Sequence, residues 1–170
     1  MATKSKDSWR LQAREGVLKI LDEVIAIEIP ADEDGFILFE CPKCNEQFKV
    51  RPQDYEDDGV AEIWCPSCGL TSESYLTEDV VELAKAKLIN AAMDELHKGF
   101  KKLERRTHGE AVSFKAGKNP KHEVENRLEA KIDALEVVKL ECCGREVKIP
   151  PLDLSSVYYC PFCGVMHHAG

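Results

Sequence analysis

The stretch FILFECPKCNEQFKV (residues 36–50) places Cys41 and Cys44 directly after a run of apolar and aromatic residues. After an interval of 20 residues, a second pair, Cys65 and Cys68, follows in VAEIWCPSCGLTSESYL (residues 60–76). A two-residue gap lets the chain fold back so that both sulfur atoms reach one tetrahedral metal ion. Two such pairs at this separation have the spacing of a zinc site. The sequence therefore predicts a structural zinc centre with four thiolate ligands.

Both cysteine pairs stand at the ends of stretches that favour β-strands, FILFE and VAEIW. With these features, residues 36–76 resemble the zinc ribbon family, in which two knuckles at the tips of β-hairpins share one zinc ion. The resemblance implies that Cys41, Cys44, Cys65 and Cys68 bind the metal. A site with four thiolates has no open coordination position, so the ion is expected to stabilise the fold and not to catalyse a reaction.

The C-terminal part of the chain contains a second, altered copy of this pattern. When CPKCNEQFKV is aligned with CCGREVKI, Cys44 matches Cys143, and the downstream YYCPFCG echoes IWCPSCG. The second copy encloses 16 residues where the first encloses 20, and its first knuckle is predicted to lack two residues. These features indicate an internal duplication with a shortened second ribbon.

The second ribbon leaves its fourth metal ligand open. Cys143, Cys160 and Cys163 are the first three candidates. The fourth is either Cys142, which we prefer, or one of His167 and His168, because a histidine a few residues from a cysteine is ordinary in zinc sites. A second site that has lost its metal is the remaining alternative. We expect two structural zinc ions.

Between the ribbons, residues 77–109 carry a helical stripe of apolar residues, beginning at a possible N-cap, Thr77, and ending at Gly109. A helix of this length can hold the ribbons apart or clamp a partner, and its stripe is expected to pack as core, against the rest of this chain or against a second copy. A shorter helix is predicted for residues 8–25 and is expected to lie against it. Residues 112–115 suggest a short strand, the first half of residues 123–141 is compatible with a helix, and ALEVVKLE (residues 134–141) reads as a strand.

Residues 98–122 are basic in a chain whose net charge is −8. A basic helix end followed by a basic loop can contact a phosphate backbone, although cations at a helix C-terminus also complement the helix dipole. The candidate contacts in this segment are Lys98, Lys101, Lys102, Arg105, Arg106, Lys115, Lys118 and Lys121. No base-reading motif accompanies them, so contacts to the backbone are expected to dominate.

Several classes of protein are disfavoured by the sequence. No apolar run is long enough to span a membrane, and the N-terminus lacks the apolar stretch of a secretion signal, so we expect a cytoplasmic protein whose eight cysteines are reduced. Glycine-rich phosphate loops, nucleophile elbows and His-Glu-x-x-His helices are missing, and we expect no enzyme activity and no small-molecule substrate.

These patterns predict an α+β fold in which two zinc ribbons are joined by a long helix and a basic loop. The predicted organisation has an N-terminal helical segment (residues 1–35), a first ribbon (36–76), a helix with loop and connector (77–134) and a second ribbon (135–170). The expected function is that of an adaptor or regulatory protein that binds a protein partner or a second copy of itself. Binding to nucleic acid through residues 98–122 is the alternative.

Overall fold

The computed structural model describes residues 27–109, 113–118, 120–130 and 134–168. The helix predicted for residues 8–25 lies outside the described residues. The chain divides into two compact units. Glu28–Val81 and Arg127–Gly170 make up the first, here called the sheet unit, and Glu82–Asn126 belongs to the second, the helix unit.

Short antiparallel strands and three helices form the described part of the chain. The helices are α1 (Pro52–Tyr55), α2 (Glu78–Thr107) and α3 (Pro151–Leu154), and the strands are β1 (Ile37–Glu40), β2 (Gln47–Val50), β3 (Glu136–Lys139), β4 (Glu146–Ile149), β5 (Val157–Tyr159) and β6 (Met166–His168). The strands predicted in FILFE and ALEVVKLE are confirmed. The strand predicted in VAEIW is reduced to an isolated bridge between Trp64 and Thr71.

The two predicted ribbons share one sheet, because β2 of the first pairs with β4 of the second. The sheet has the order β1-β2-β4-β3, while β5 and β6 form a separate pair. In the central pairing Lys49 lies opposite Lys148, and the sequence alignment of the two copies makes these same two lysines equivalent. Equivalent residues face each other only across an approximate twofold axis. Of the two roles considered for the long helix, holding the ribbons apart is therefore wrong.

The core lies on one face of this shared sheet. Alternation along β2 and β4 directs Phe48, Val50, Val147 and Ile149 into it, and each of these side chains is at most 1% exposed. Tyr75 joins the cluster, with its ring 5.5 Å from Phe48. Burial of one side chain of this kind stabilises the fold by about 2 kcal/mol.

On the opposite face the two central lysines are also buried, and Asp32 neutralises them. The Asp32 Oδ2 atom lies 3.0 Å from Lys49 Nζ and 2.9 Å from Lys148 Nζ. Lys148 also pairs with Asp34 at 2.7 Å. Burial alone would raise the pKa of Asp32, but hydrogen bonds from Lys148, the Phe36 amide and Lys49 hold that pKa well below its usual range. The loop before β1 therefore supplies the counter-charge for the sheet centre.

The second knuckles of the two ribbons also exchange equivalent contacts. The Trp64 amide donates to the Pro161 carbonyl at 2.9 Å, and the Tyr159 amide donates to the Pro66 carbonyl at 2.8 Å. Each aromatic ring covers the glycine that ends the opposite knuckle: a Cβ atom at Gly69 would lie 2.8 Å from the Tyr159 ring, and one at Gly164 would lie 2.9 Å from the Trp64 ring. The twofold relation thus extends from the sheet to both knuckles.

Replacing Gly164 with alanine is expected to destabilise the sheet unit by about 3 kcal/mol. The added methyl group would collide with Trp64, and an alanine at φ 69° is also strained. Gly144 provides a matched control, because its φ is 72° but a Cβ atom there would meet nothing within 4 Å. Gly144→Ala should cost only about 1 kcal/mol. Equal losses for the two variants in urea unfolding would contradict the proposed ring contact.

Helix α2 confirms the long helix predicted between the ribbons, and Gly109 follows it with φ 90°. The expectation that its apolar stripe packs against the rest of this chain is wrong for most of its length over the described residues, while packing against a second copy stays a prediction. Val80 and Ala86 are buried, but the stripe then becomes exposed, by 40–57% at Leu88, Ile89, Met93, Leu96, Phe100 and Leu103. The helical periodicity identified the apolar face of α2 correctly, but less of that face is buried than the sequence predicted.

An extended segment returns along α2 within the helix unit. The Glu123 amide donates to Asn90 Oδ1 at 2.7 Å, and Asn90 Nδ2 donates to the Glu123 carbonyl at 3.0 Å. Nearer the helix end, the rings of Phe114 and Phe100 lie 5.9 Å apart. Residues 113–118 contain no strand and residues 120–130 contain no helix, so both elements suggested for this region are wrong over the described residues. The segment makes its hydrogen bonds with the helix side chains instead.

Candidate metal centres

The first cysteine group is built by two tight turns. Cys41 accepts a hydrogen bond on its carbonyl from the Asn45 amide, and Cys65 accepts one from the Gly69 amide. Asn45 and Gly69 have φ of 62° and 69°, a conformation that asparagine and glycine adopt more easily than other residues. The turns bring each cysteine pair to the same side of its knuckle.

The sulfur atoms of this group have the separations expected of ligands to one tetrahedral ion. All four lie within 4.8 Å of one another. Contacts between the knuckles are 3.8 Å from Cys41 to Cys68 and 3.6 Å from Cys44 to Cys65. A tetrahedral ion with metal–sulfur bonds of about 2.3 Å places its ligands about 3.8 Å apart. The donor set therefore fits a metal ion coordinated by four thiolates.

The second group differs from its prediction in the first knuckle. The Leu140 amide donates to the Arg145 carbonyl, and the Gly144 amide donates to the Leu140 carbonyl. These bonds repeat those of Cys41 with Glu46 and Asn45, so the knuckle is full length. The prediction that it lacks two residues is wrong: Leu140, which is fully buried, occupies the position of the first cysteine.

The shift of one cysteine still leaves a group of thiols that can hold a metal ion. Cys142, Cys160 and Cys163 have sulfur atoms within 4.8 Å of one another, with 3.5 Å between Cys142 and Cys163. The Cys143 sulfur lies 3.7 Å from that of Cys160 but outside the group of three. Both adjacent cysteines of this turn therefore contact a cysteine of the second knuckle, and the preference for Cys142 as the fourth ligand stays a prediction.

The two histidines proposed as alternative ligands differ in position. His167 Nε2 lies 3.3 Å from the Cys142 sulfur, and its ring stacks on Tyr158 at 5.1 Å. His168 is exposed and pairs with Val157 at the edge of the short β5–β6 sheet. Neither belongs to the group of three thiols in the described part of the chain. Side chains around a metal site commonly orient its ligands through hydrogen bonds, and His167 is placed to do this for Cys142.

Burial affects how readily these thiols ionise. It raises the pKa of Cys65 and of Cys160, which are both fully buried, and raises that of Cys142 to about 11. For Cys163 burial has the same direction, but the Val165 amide and the neighbouring thiols outweigh it and lower the pKa. A metal ion displaces the thiol protons when it binds, so uptake at neutral pH is expected to release protons.

The two centres differ in their exposure to solvent. In the first, Cys41 and Cys65 are fully buried and Cys44 is exposed; in the second, Cys160 is buried, whereas Cys142, Cys143 and Cys163 are exposed. A chelator reaches exposed ligands without local unfolding. The second centre is therefore expected to release its metal faster than the first.

A chromogenic chelator should thus remove metal in two phases. The fast phase should disappear in Cys163→Ser, and the slow phase should disappear in Cys68→Ser. Loss of the fast phase in Cys68→Ser instead would contradict the difference in exposure.

The eight basic residues singled out in the sequence are all exposed in the helix unit. Lys98, Lys101, Lys102 and Arg105 follow one another at helical spacing on α2 and share one face. Lys98 is paired with Glu95 at 2.6 Å. Arg106 is nearby on the helix, and Lys115, Lys118 and Lys121 lie on the extended segment.

Comparison with known proteins adds no family to these observations. Among the described residues, no helix is long and apolar enough to cross a membrane. The two cysteine groups are consistent with zinc-ribbon-like modules in a mixed α/β structure of small antiparallel sheets and a long helix. No family model, curated protein or solved structure matches the chain.

Proposed function

We propose that this chain is a non-catalytic zinc protein in which two structural zinc ions hold a double ribbon that serves as an adaptor. The observation that carries the proposal is the set of sulfur–sulfur distances between knuckles, 3.6–3.8 Å in the first centre and 3.5–3.7 Å in the second. Tetrahedral thiolate sites in proteins select zinc or iron–sulfur clusters, and pairs of Cys-x-x-Cys knuckles are typical of zinc. In the first centre a closed set of four thiolates leaves no position for a substrate, which supports a structural role.

The adaptor role is supported by the apolar face of α2. Six large apolar side chains on that helix are 40–57% exposed. Four of them, Met93, Leu96, Phe100 and Leu103, repeat at intervals of three and four residues, the spacing by which a helix packs against another helix. Large exposed apolar stripes mark interaction sites more often than solvated surface.

Metal analysis of single-ligand variants tests the zinc proposal. Wild-type protein purified without added metal should contain two zinc ions per chain, and Cys68→Ser and Cys163→Ser should each contain one. Ser67→Ala, which leaves the thiols intact, serves as the control and should retain both ions. Iron in place of zinc, or an unchanged zinc content in either cysteine variant, would contradict the proposal.

A second candidate function is contact with a nucleic acid backbone through the helix unit. The observation that favours it is the row of exposed cations on one face of α2, continued by three lysines on the extended segment. Each phosphate that such a row neutralises releases a counterion, so binding would weaken steeply with salt.

Mobility-shift assays with generic DNA and RNA at low salt test this second candidate. Replacing Lys101, Lys102, Arg105 and Arg106 by glutamate should abolish any shift. Lys43→Glu and Lys139→Glu, which reverse exposed charges in the sheet unit, should leave it unchanged. Absence of a shift in the parent, or a shift that survives the four substitutions, would exclude nucleic acid binding through this face.

A further inference from the structure

The second hairpin is closed in one half of the sheet unit and open in the other. In the C-terminal half β5 and β6 pair through Val157–His168, Tyr158–His167 and Tyr159–Met166. Alignment on the knuckle cysteines makes Trp64 and Thr71 equivalent to Tyr159 and Met166. Among the described residues of the N-terminal half, the bridge between Trp64 and Thr71 is the one pairing that this hairpin keeps. Residues 60–63 and 72–74, here called the open arms, then separate.

Tyr75 holds the open arms apart at their base. Its hydroxyl donates to the Ile63 carbonyl at 2.8 Å and also lies 3.1 Å from the Leu70 carbonyl. The ring is buried and stacks 6.0 Å from that of Phe39. The N-terminal half has 20 residues between its two knuckles, whereas the C-terminal half has 16. The first arm is therefore long enough to separate from the second. The opening is therefore built into the packed core and does not depend on the exposed loop ends.

A groove of about 1070 Å³ lies along the open arms. Its apolar lining includes Ile37 and Phe39 of β1, Tyr55 of α1, Val60 and Ile63 of the first open arm, and Tyr75. Over the described chain, the backbones of Ala61, Glu62, Glu73 and Ser74 make no backbone-to-backbone hydrogen bonds. The groove thus combines an apolar lining with backbone donors and acceptors on both arms that have no backbone partner, with which an added strand can pair.

Charge at the mouth of the groove indicates what kind of strand it accepts. Glu62 and Glu73 occupy the positions that Val157 and His168 hold in the closed hairpin, and both are exposed. Like charges directly opposite each other disfavour pairing of the two arms. The same pair of carboxylates favours a cationic side chain between them. Lys43 lines the groove as its one basic residue among the described lining residues.

We propose that the open arms bind an extended peptide segment of a partner protein, with apolar side chains toward the exposed Tyr55 and Leu76 of the groove and a lysine or arginine between Glu62 and Glu73. The peptide would supply the strand that the C-terminal half supplies from its own chain. This inference rests on the proposed adaptor function and names the chemistry of its partner. The groove exceeds the volume of most small-molecule sites and has two exposed backbone edges, which favours a peptide over a compact ligand.

Selection of random displayed heptapeptides on the full-length, metal-loaded protein tests the proposal. Enriched peptides should alternate apolar residues and contain at least one lysine or arginine. Once synthesised, they should shift the amide NMR signals of Ala61, Glu62, Glu73 and Ser74. Glu62→Gln combined with Glu73→Gln should weaken binding by about tenfold. Glu136→Gln, an exposed carboxylate on β3, is the matched control and should bind as the parent does.

Three results would overturn the proposal: no enrichment of peptides, amide shifts confined to other surfaces, or equal affinity in the double variant and the control. Zinc is counted in the same samples. Two zinc ions without peptide binding would refute the peptide groove and leave the zinc protein intact. A deficit of zinc would count against the proposed function itself.

Discussion

Removal of both metal ions by a strong chelator is expected to unfold the sheet unit. The two halves share one small core and neither buries one of its own, and zinc binding to small units of this kind contributes on the order of 10 kcal/mol. That contribution is comparable to the entire stability of an ordinary domain, which is about 5–15 kcal/mol. Because the two halves share one sheet, loss of either metal should weaken both.

The aromatic rings at the knuckles provide a direct signal for this unfolding. Trp64 packs on Gly164, and Tyr159 packs on Gly69, so their near-ultraviolet circular dichroism should collapse when the metals leave. Replacing Trp9 with phenylalanine makes Trp64 the one tryptophan in the chain and assigns the signal to the sheet unit. Returning zinc should restore the spectrum. A chelated protein, shown to be free of metal, with an unchanged near-ultraviolet spectrum would refute the structural role of the ions.

Replacing Asp32 with asparagine is expected to destabilise the sheet unit by about 4 kcal/mol, because it leaves two buried lysines without their shared counter-ion. The side chains of Lys49 and Lys148 are only 3% and 11% exposed, and both contact the same Asp32 oxygen. Urea unfolding at constant zinc concentration measures the loss. Asp34→Asn is the control, since the Asp34 side chain is 63% exposed and its carboxylate pairs with Lys148, and it should cost less than about 1 kcal/mol.

The pH dependence of this effect follows from the direction of the pKa shift. The pKa of Asp32 is lower in the folded protein, so its stabilising contribution is present above the unfolded value of about 4 and is lost as pH falls through the folded value. The difference between wild type and Asp32→Asn should therefore stay constant at neutral pH. A loss below about 1 kcal/mol, or similar losses in both variants, would show that the lysines are not held by Asp32.

Local sequence patterns predicted β1, β3 and the long helix correctly but not the joining of the ribbons. The Cys-x-x-Cys spacing and the β-forming residues before Cys41 are short-range patterns, so the first cysteine group and β1 could be predicted from the sequence. Pairing of β2 with β4 depends on contacts between residues 99 positions apart, such as Lys49 and Lys148. A lysine on a strand is ordinarily interpreted as solvent-exposed, so Lys49 and Lys148 did not suggest buried positions at the centre of a sheet.

The altered knuckle escaped prediction for a different reason. Aligning Cys44 with Cys143 is correct, but treating the doubled cysteine as a deletion hid the match between Cys41 and Leu140. An ungapped alignment would have revealed it, because the prolines Pro52 and Pro151 that begin α1 and α3 keep the same offset. The coverage of α2 could not be predicted, because periodicity identifies an apolar face and says nothing of what lies against it.

Native mass spectrometry of the full-length protein is the most direct test of two metal centres in one chain. We predict a mass excess of two zinc ions, less the protons they displace, on every folded polypeptide, together with a folded charge-state distribution. A folded species carrying one ion or none would contradict the double ribbon held by two structural metals.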